Sequence, residues 1–432
     1  MYQVVVARIR NLTPIAGADF IIQGSVLGNT IVVGKDTVEG TLGCFFESDG
    51  QLGLDFAQKN NLIRNVDPET GKNIGGMFEL PNLRIRAQKL RGVKSDGFWC
   101  PLELLAPFGD ISVLKEHDKF TEFNGVLIAQ KYVVKRANGS KGPNAPKNRL
   151  KAPRVELVAM RRHFDTEQFR TDAHKFIAGD LLNASSKIHG TSQRFAYVRV
   201  EQPIKRYSLD WFKQILRMNV EPKFAYDYMV GTRNVILENN NHQGTYYGNE
   251  NFRYEATNDF RGKMYKNECL YGEVTYTNAD SGLALMHQST TKLKDKKVTK
   301  QYGDTMNYTY GTKPGKADFW VYRITQTNED GIAIDLSWQQ MKVRCDQLGA
   351  KMVPEVVAPF IYDGDQDKLR ELVESITGGA DPVDPSHIRE GVCVRAERYP
   401  MPLVLKSKDH LFRQLESNWA DEAKEPTIED EA

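Results

Sequence analysis

The sequence predicts an α+β protein with two parts, a small all-β module followed by a larger domain in which strands and helices mix. In the first hundred residues, short apolar runs such as 4–9 and 31–33 are separated by turn-forming residues. Apolar residues recur at helical spacing in 211–220 and 367–376, among runs typical of strands. Because the first strands are short and closely spaced, we expect the N-terminal module to be a small barrel or sandwich.

The overall composition is that of an ordinary globular protein. The chain has 432 residues, 40% hydrophobic and 26% charged, which leaves room for two or three compact domains. No apolar run approaches the roughly 20 residues of a membrane-spanning helix, and the first residues alternate like a strand rather than a secretory signal. The five cysteines are scattered without a CxxC pair, which argues against a disulfide framework and a zinc site. We expect a cytoplasmic protein with no membrane association.

Charge divides the chain further. The segment 135–154 has seven basic residues, no acidic one and little apolar surface, so burial cannot offset the entropy of ordering it. The stretch after Leu415 has seven acidic residues and one lysine, and we expect it to be disordered. The predicted organisation is an all-β module at 1–125, a basic linker or loop at 126–155, a mixed domain at 156–415 and an acidic tail at 416–432.

A basic stretch lies near the end of the all-β module. Its residues, which alternate with leucine and isoleucine, include Arg84, Arg86, Lys89 and Arg91. Such a pattern is typical of one solvated strand face, and it also fits a surface that binds nucleic acid. Composition leaves both interpretations open.

The first candidate for chemistry is Lys187, in the turn KIHG that also contains His189 and Gly190. A lysine must be neutral to act as a nucleophile, and its ordinary pKa of about 10.4 makes this cost roughly 4.6 kcal/mol at pH 7. Neighbours that disfavour the charged amine, such as a metal ion or another cation, lower that cost. A glycine lets backbone approach a phosphate closely. The turn by itself is a weak signal, because most such turns only connect elements at the surface.

Four further segments follow Lys187, and they contain five residues suited to nucleotide chemistry: Glu273, Phe319, Glu390, Lys406 and Lys408. Lys406 and Lys408 are two residues apart at the end of a strand-like run, so both side chains project from one face. Each segment alone has an ordinary structural explanation. The occurrence of all these segments in one order is much less probable by chance than the occurrence of any one of them.

In this order the segments resemble the motifs of the covalent nucleotidyltransferases, which comprise RNA ligases, DNA ligases and mRNA capping enzymes. Lys187 stands at the position of their nucleophile, and His189 stands where many relatives have aspartate. This histidine and the segment LPNLRIRAQKLRGVKSDGFWCPL at 80–102 are similar to the Deinococcus-type RNA ligases with an N-terminal OB module, which large phages also encode. The resemblance extends from about residue 3 to residue 412.

The resemblance implies a fold and roles in nucleotide binding. The first module would be an OB-like β-barrel, and the second an adenylyltransferase domain of antiparallel sheets with flanking helices. Lys187 would receive AMP from ATP, Glu273 would hydrogen-bond the AMP ribose, and Phe319 would stack on adenine. Arg233 would contact AMP and help to orient the nick. Arg323 stands where some relatives have aspartate, so no metal role is carried over to its strand.

The resemblance also implies how phosphates and metal are held. Glu390 would bind Mg²⁺ or Mn²⁺, directly or through water. Lys406 and Lys408 would neutralise the α-phosphate as pyrophosphate leaves. His189 and Gly190 would complete the nucleotide site, His189 by positioning a metal-bound water or by holding the loop.

The function implied is an ATP-dependent RNA ligase for RNA repair. It would join a 3′-hydroxyl to a 5′-phosphate through lysyl-AMP and an adenylylated polynucleotide. The expected partner is RNA or a nicked duplex with an RNA 3′-hydroxyl strand, bound in part by the OB module and its basic stretch. We expect a monomer in a bacterial cell or a phage-infected host.

Two alternatives are open, one an enzyme of the same superfamily and the other a protein of a different class. A DNA ligase or capping enzyme usually carries its OB domain after the catalytic module, whereas here the β-rich module comes first. A non-catalytic RNA-binding protein would use the OB module and basic loops alone, but it would have no reason to keep the lysines and glutamates in motif order. The chain has no GxxxxGK[ST] loop, which disfavours a P-loop ATPase.

Overall fold

The structure, a computed structural model, describes residues 2–133, 155, 158–216, 218–237, 250–293 and 296–423. The N-terminal module has one helix, α1 (Leu54–Lys59). Its strands are β1 (Val4–Arg8), β2 (Arg10–Pro14), β3 (Ile21–Val26), β4 (Asn29–Gly34), β5 (Leu42–Glu47), β6 (Gly50–Leu52), β7 (Gln88–Leu90), β8 (Val93–Ser95), β9 (Gly97–Pro101), β10 (Lys119–Phe120), β11 (Glu122–Phe123), β12 (Val126–Leu127) and β13 (Ala129–Lys131).

Small antiparallel sheets build this module around two clusters of buried apolar side chains. Four strands are ordered β10-β1-β5-β9, and three are ordered β2-β3-β4. On one face of strand β1, Val4 and Val6 are buried. They pack with Phe46 and with Phe56 of α1. The predicted small β-barrel module is confirmed.

The second domain contains the remaining strands and most of the helices. Its strands are β14 (Glu167–Gln168), β15 (Leu181–Lys187), β16 (Thr191–Glu201), β17 (Phe224–Gly231), β18 (Glu268–Tyr276), β19 (His287–Ser289), β20 (Thr305–Asn307), β21 (Ala317–Thr327), β22 (Ala333–Asp335), β23 (Lys351–Met352), β24 (Glu355–Ile361), β25 (Gly391–Ala396) and β26 (Leu403–Lys408). Its helices are α2 (Phe169–Asp172), α3 (Leu209–Ile215), α4 (Asn251–Glu255), α5 (Lys296–Tyr302), α6 (Trp338–Leu348), α7 (Gln366–Thr377) and α8 (His410–Ala423).

Two sheets organise the second domain. One has the order β14-β26-β25-β15-β24, and the other has the order β17-β16-β18-β21-β22, with β23 beside β21. The pairings are antiparallel except for the short parallel pairs of β14 with β26 and of β21 with β23. This arrangement confirms the predicted α+β class with mostly antiparallel sheets.

The two longest internal helices each cover one sheet. Helix α7 buries Leu369 and Val373 against the sheet that contains β25. Helix α6 buries Met341 and Leu348 against the other sheet. Its N-terminus is a capping box, in which the Ser337 hydroxyl accepts from the Gln340 N–H and the Gln340 side chain accepts from the Ser337 N–H. Each sheet of the second domain is therefore packed against a helix on one face.

A buried ion pair joins the two modules. Arg170 of α2 donates from Nη1 to Asp96 Oδ2 at 2.9 Å, and from Nη2 to Glu374 Oε2 at 2.8 Å. Burial alone would raise the pKa of Asp96, but the positive charges of Arg413 and Arg170 outweigh it and hold that pKa far below its ordinary value. The N-terminal module is therefore docked by a charged contact at which Asp96 is ionised.

The predicted boundaries of the N-terminal module, the basic linker and the acidic tail do not coincide with those of the structural elements. Strand β13 pairs with β6, so the strands of the N-terminal module continue past residue 125. Most of the predicted basic linker lies outside the described residues. The expected tail begins inside α8, and its last residues also lie outside the described part. Among the described residues, no helix combines the length and apolar character needed to cross a bilayer.

Candidate active site

A cavity of about 950 Å³ is lined by both sheets of the second domain and by the N-terminal module. The N-terminal module contributes Tyr2, Lys119 and Lys131 to its wall. The cavity brings together eight of the residues singled out from sequence: Lys187, His189, Gly190, Arg233, Glu273, Glu390, Lys406 and Lys408. Residues that are far apart along the chain therefore share one site.

Lys187 is the last residue of β15, where that strand pairs with Gly391 of β25. Its Nζ lies 2.6 Å from Oε1 of Glu390; the Lys187 side chain is 18% exposed and that of Glu390 is 1% exposed. A Cβ at Gly391 would lie 2.0 Å from the Ser407 carbonyl oxygen, so only glycine allows β25 to approach β26 so closely. This close approach places Glu390 directly against the candidate nucleophile.

Four side chains form a row of alternating charge along the cavity: Lys187, Glu390, Lys408 and Glu416. Lys408 Nζ lies 3.6 Å from Glu390 Oε1 and 3.1 Å from Glu416 Oε2. Lys406 and Lys408 both line the cavity, in agreement with their spacing of two residues on β26. The sequence offers little signal for Glu416, because it is the first residue of the acidic stretch expected to be disordered.

Aromatic residues hold the turn after Lys187. The His189 N–H donates to Tyr310 Oη at 2.8 Å. The His189 ring lies 4.9 Å, centroid to centroid, from both Tyr308 and Phe412, nearly perpendicular to each. Gly190 packs against β18, since a Cβ there would lie 2.7 Å from a carbonyl oxygen of that strand. The glycine expected to serve a phosphate thus also serves the packing of the turn.

Glu390 offers a carboxylate oxygen that fits a cation. Its Oε2 is buried, has no hydrogen-bond partner among the described residues and lies 3.7 Å from Nδ1 of His189. Within that part of the chain, no group of three His, Cys, Asp or Glu side chains could hold a metal ion. A divalent ion at Glu390 would therefore take phosphate or water oxygens as further ligands, as Mg²⁺ commonly does.

Two arginines contribute positive charge to the cavity wall. Arg233 lines the cavity and pairs with the carboxylate of Asp165. Arg323 donates to both oxygens of Asp335, at 2.5 and 2.9 Å. Burial and the positive charges of Arg323 and Arg233 hold the pKa of His163 well below its ordinary value. The His163 imidazole is therefore neutral at pH 7, and the wall carries its positive charge on arginine and lysine.

Strand β21 brings Tyr322 to the cavity and leaves Phe319 in the core. Phe319 is 2% exposed, packs near Phe260 and does not belong to the described lining. Tyr322 lines the cavity, and the pairing of β21 with β18 is irregular at that residue, between Val321 and Arg323. A bulge commonly re-aims a side chain beside a site, and its position is not readable from the sequence.

The four basic residues of the N-terminal module do not belong to the described lining of the cavity. The Arg84 side chain is 4% exposed, lies 3.2 Å from Asp49 and covers the Tyr132 ring at 4.4 Å. Arg84 therefore supports the fold of the module. The others are exposed: Arg86, Lys89 and Arg91.

Comparison with known proteins agrees with this geometry. A family model described as RNA ligase matches residues 182–409, more than half of the chain, and a model described as an OB-fold domain matches residues 3–102. The search of curated proteins gave no match.

Solved structures with a similar fold include Naegleria gruberi RNA ligase variants with ATP and Mn and with AMP and Mn, each 16% identical with a TM-score of 0.56 over 95% of this chain and 98% of theirs. The same ligase with PPi is 16% identical, with a TM-score of 0.55 over 98% of both chains. These likenesses show a shared fold. The expected RNA ligase with an N-terminal OB module is confirmed, and this chain belongs to the RNA ligase family.

Proposed function

We propose that the cavity binds ATP and a divalent ion, and that Lys187 takes AMP from ATP before the enzyme joins RNA ends. The observation that carries this proposal is the placement of Lys187 Nζ 2.6 Å from Glu390 in a cavity that also contains Lys406 and Lys408. The similar RNA ligase structures with ATP, AMP, Mn and PPi support the choice of nucleotide and metal.

In the first step, Lys187 Nζ attacks the α-phosphorus and the bond to pyrophosphate breaks. Contact with Glu390 favours the charged amine, so this contact must weaken before Lys187 can attack. A divalent ion held by Glu390, with His189 beside it, would supply positive charge that offsets phosphate charge and favours the neutral amine. Lys406 and Lys408 line the same space, where their charges stabilise the departing pyrophosphate.

We propose that Tyr322 provides the aromatic surface for adenine that the sequence assigned to Phe319. Tyr322 lines the cavity together with Glu273, the residue expected to bind the ribose. The Tyr322 hydroxyl lies 3.5 Å from the Ser192 hydroxyl, which holds the ring at the cavity wall.

Replacing Tyr322 by alanine should raise KM for ATP in label transfer by about 5- to 150-fold, since stacking of a base on an aromatic ring contributes about 1–3 kcal/mol. The matched variant Phe319→Leu should lower thermal stability with a smaller change in KM, because Phe319 is a core residue. A larger KM effect at Phe319 than at Tyr322 would restore the assignment made from sequence.

In the later steps, AMP passes from Lys187 to the 5′-phosphate of the polynucleotide, and the 3′-hydroxyl then displaces AMP. We propose a nicked duplex with an RNA 3′-hydroxyl strand as the substrate. The supports are the family, the docked OB module and the exposed basic residues on it. We propose further that the enzyme works as a monomer in the cytoplasm, where its five free thiols would stay reduced.

The test is sealing of matched nicked duplexes that end in a ribose or a deoxyribose 3′-hydroxyl, with ATP or GTP. We expect sealing with ATP and a clear preference for the ribose end. Label transfer from GTP alone would favour a capping enzyme, and equal sealing of both ends would favour a DNA ligase. Binding of RNA with no label transfer from either nucleotide would favour the non-catalytic alternative.

Replacing Arg86, Lys89 and Arg91 together by alanine should weaken sealing without affecting AMP transfer to Lys187. Each lost contact to a duplex phosphate should reduce the slope of log affinity against log salt by about 0.9. Arg84→Ala is the contrasting variant, and it should lower thermal stability because Arg84 is buried against Asp49 and Tyr132. An unchanged salt slope in the triple variant would remove these residues from the RNA surface.

A further inference from the structure

Helix α8 begins immediately after the last lysine of the site and is anchored to it. The Asp409 carboxylate accepts from the N–H groups of Leu411 and Phe412, at 2.9 and 3.2 Å, and so caps the helix. The Asp409 N–H donates to the Glu390 carbonyl oxygen at 2.9 Å. The start of α8 is therefore fixed to the backbone of the residue that pairs with Lys187.

The first two turns of α8 reach three different parts of the molecule. Glu416 contacts Lys408, Phe412 contacts the His189 ring, and Arg413 lies 3.8 Å from Asp96 of the N-terminal module. The last contact is reinforced by a second pair between His410 and Asp96. One helix thus touches two residues of the cavity and the buried carboxylate that docks the N-terminal module.

The contact of Glu416 with Lys408 is well suited to orient the lysine. Lys408 Nζ donates to Oε1 and Oε2 of Glu416 at 3.2 and 3.1 Å. Both side chains are largely buried, at 9% and 13% exposure, so water screens the pair weakly. A lysine side chain loses conformational entropy when it is held in one rotamer. If a carboxylate already holds it before the substrate binds, that entropy cost does not add to the activation free energy. Lys408 Nζ also lies 3.6 Å from Glu390 Oε1, so the lysine is held between two carboxylates.

We propose that Glu416 and Phe412 are positioning residues for the first step, Glu416 for Lys408 and Phe412 for His189, and that the N-terminal module fixes them through Asp96 and α8. This inference rests on the proposed function. It assigns to the N-terminal module a part in AMP transfer to Lys187, in addition to any part in holding RNA.

The first test is Glu416→Gln, with Glu371→Gln as the matched control on an exposed position of α7. In label transfer from ATP, Glu416→Gln should lower kcat about tenfold and change KM less than about twofold, because orientation of Lys408 matters most at the transition state. The melting temperature should stay near that of the control. Unchanged kcat, or a loss confined to KM, would overturn the positioning role.

Phe412→Leu tests the second contact in the same assay, because leucine keeps apolar volume at the position but removes the ring that contacts His189. It should also lower kcat with little change in KM. A fall in melting temperature with kcat retained would mean that Phe412 only packs the core.

A double-mutant cycle tests the link to the N-terminal module. Asp96→Asn alone should lower kcat for label transfer, and its combination with Glu416→Gln should lower kcat by less than the product of the two single effects. Independent effects would overturn coupling through α8. Asp96 is buried among cations, so a second variant keeps the test valid if Asp96→Asn unfolds the protein. His410→Gln removes one partner of Asp96 but keeps the buried carboxylate and its arginine contacts, and it should give the same non-additivity.

Lys94→Ala is the control for a contact between the two modules that does not involve α8. It removes the exposed ion pair of Lys94 with Glu374 and leaves the contacts of α8 unchanged. It should leave kcat unchanged. A wild-type enzyme that takes no label would overturn the proposed function together with this inference, whereas a labelled wild type with a fully active Glu416→Gln variant would overturn the inference alone.

Discussion

Lys187→Ala should abolish transfer of label from α-labelled ATP to the protein, because it removes the proposed nucleophile, the amine that lies 2.6 Å from Glu390 Oε1 in the cavity. The loss should reach the detection limit of a denaturing gel, since the variant lacks the atom that forms the bond to phosphorus. The same variant should still seal a strand that already carries 5′-AMP, because that step attacks with the RNA 3′-hydroxyl. Lys205→Ala, at an exposed position outside the described lining of the cavity, is the matched control.

Two outcomes would contradict this assignment. Label on Lys187→Ala at the wild-type rate would place the nucleophile elsewhere. Loss of both label transfer and sealing of the pre-adenylylated strand, with a lowered melting temperature, would mean that the substitution damages the fold and not only the chemistry.

Glu390→Gln should cause the next largest loss, about 150- to 5,000-fold in the rate of label transfer, since breaking a buried charged contact costs about 3–5 kcal/mol and each 1.36 kcal/mol is tenfold in rate. Glutamine has nearly the same shape, but it leaves Lys187 and Lys408 without the carboxylate between them. It also removes the oxygen that fits a divalent ion.

Titration with Mn²⁺ separates the two parts of this effect. If Glu390 holds the ion, the variant should need a higher Mn²⁺ concentration for half-maximal label transfer, whereas Glu371→Gln should not. A threefold difference in rate corresponds to less than 1 kcal/mol in activation free energy. If the variant stays within about threefold of the wild-type rate at every Mn²⁺ concentration, Glu390 has no part in the chemistry of the site.

Much of this protein was predictable because its signals are local. The period of two between Lys406 and Lys408 places both on one strand face, and in the structure both line the cavity. The helix expected at 367–376 occurs as α7, whereas α3 covers only the first half of the stretch expected at 211–220 and ends at Ile215. The basic stretch was predictable only in part, because exposure of Arg86 and burial of Arg84 depend on contacts with residues elsewhere in the module.

The residues that sequence reasoning missed depend on distant contacts. Tyr322 faces the cavity because the pairing of β21 with β18 slips by one residue beside it, and such a slip changes which side chains face the site. In the sequence Glu416 is the first residue of an acidic stretch. In the structure Asp409 caps helix α8, and this helix places Glu416 against Lys408. Neither event leaves a local pattern.

The order of the modules and the chemical groups available to the site can be derived from the amino-acid sequence, since both follow from residue type and short spacing. Tertiary structure alone decided which groups meet. Lys187 and Glu390 become neighbours because β15 pairs with β25, and Phe319 packs in the core, where β21 pairs it with Val274 of β18. Contacts between distant residues depend on strand register and helix docking, which are set by the packing of the whole domain.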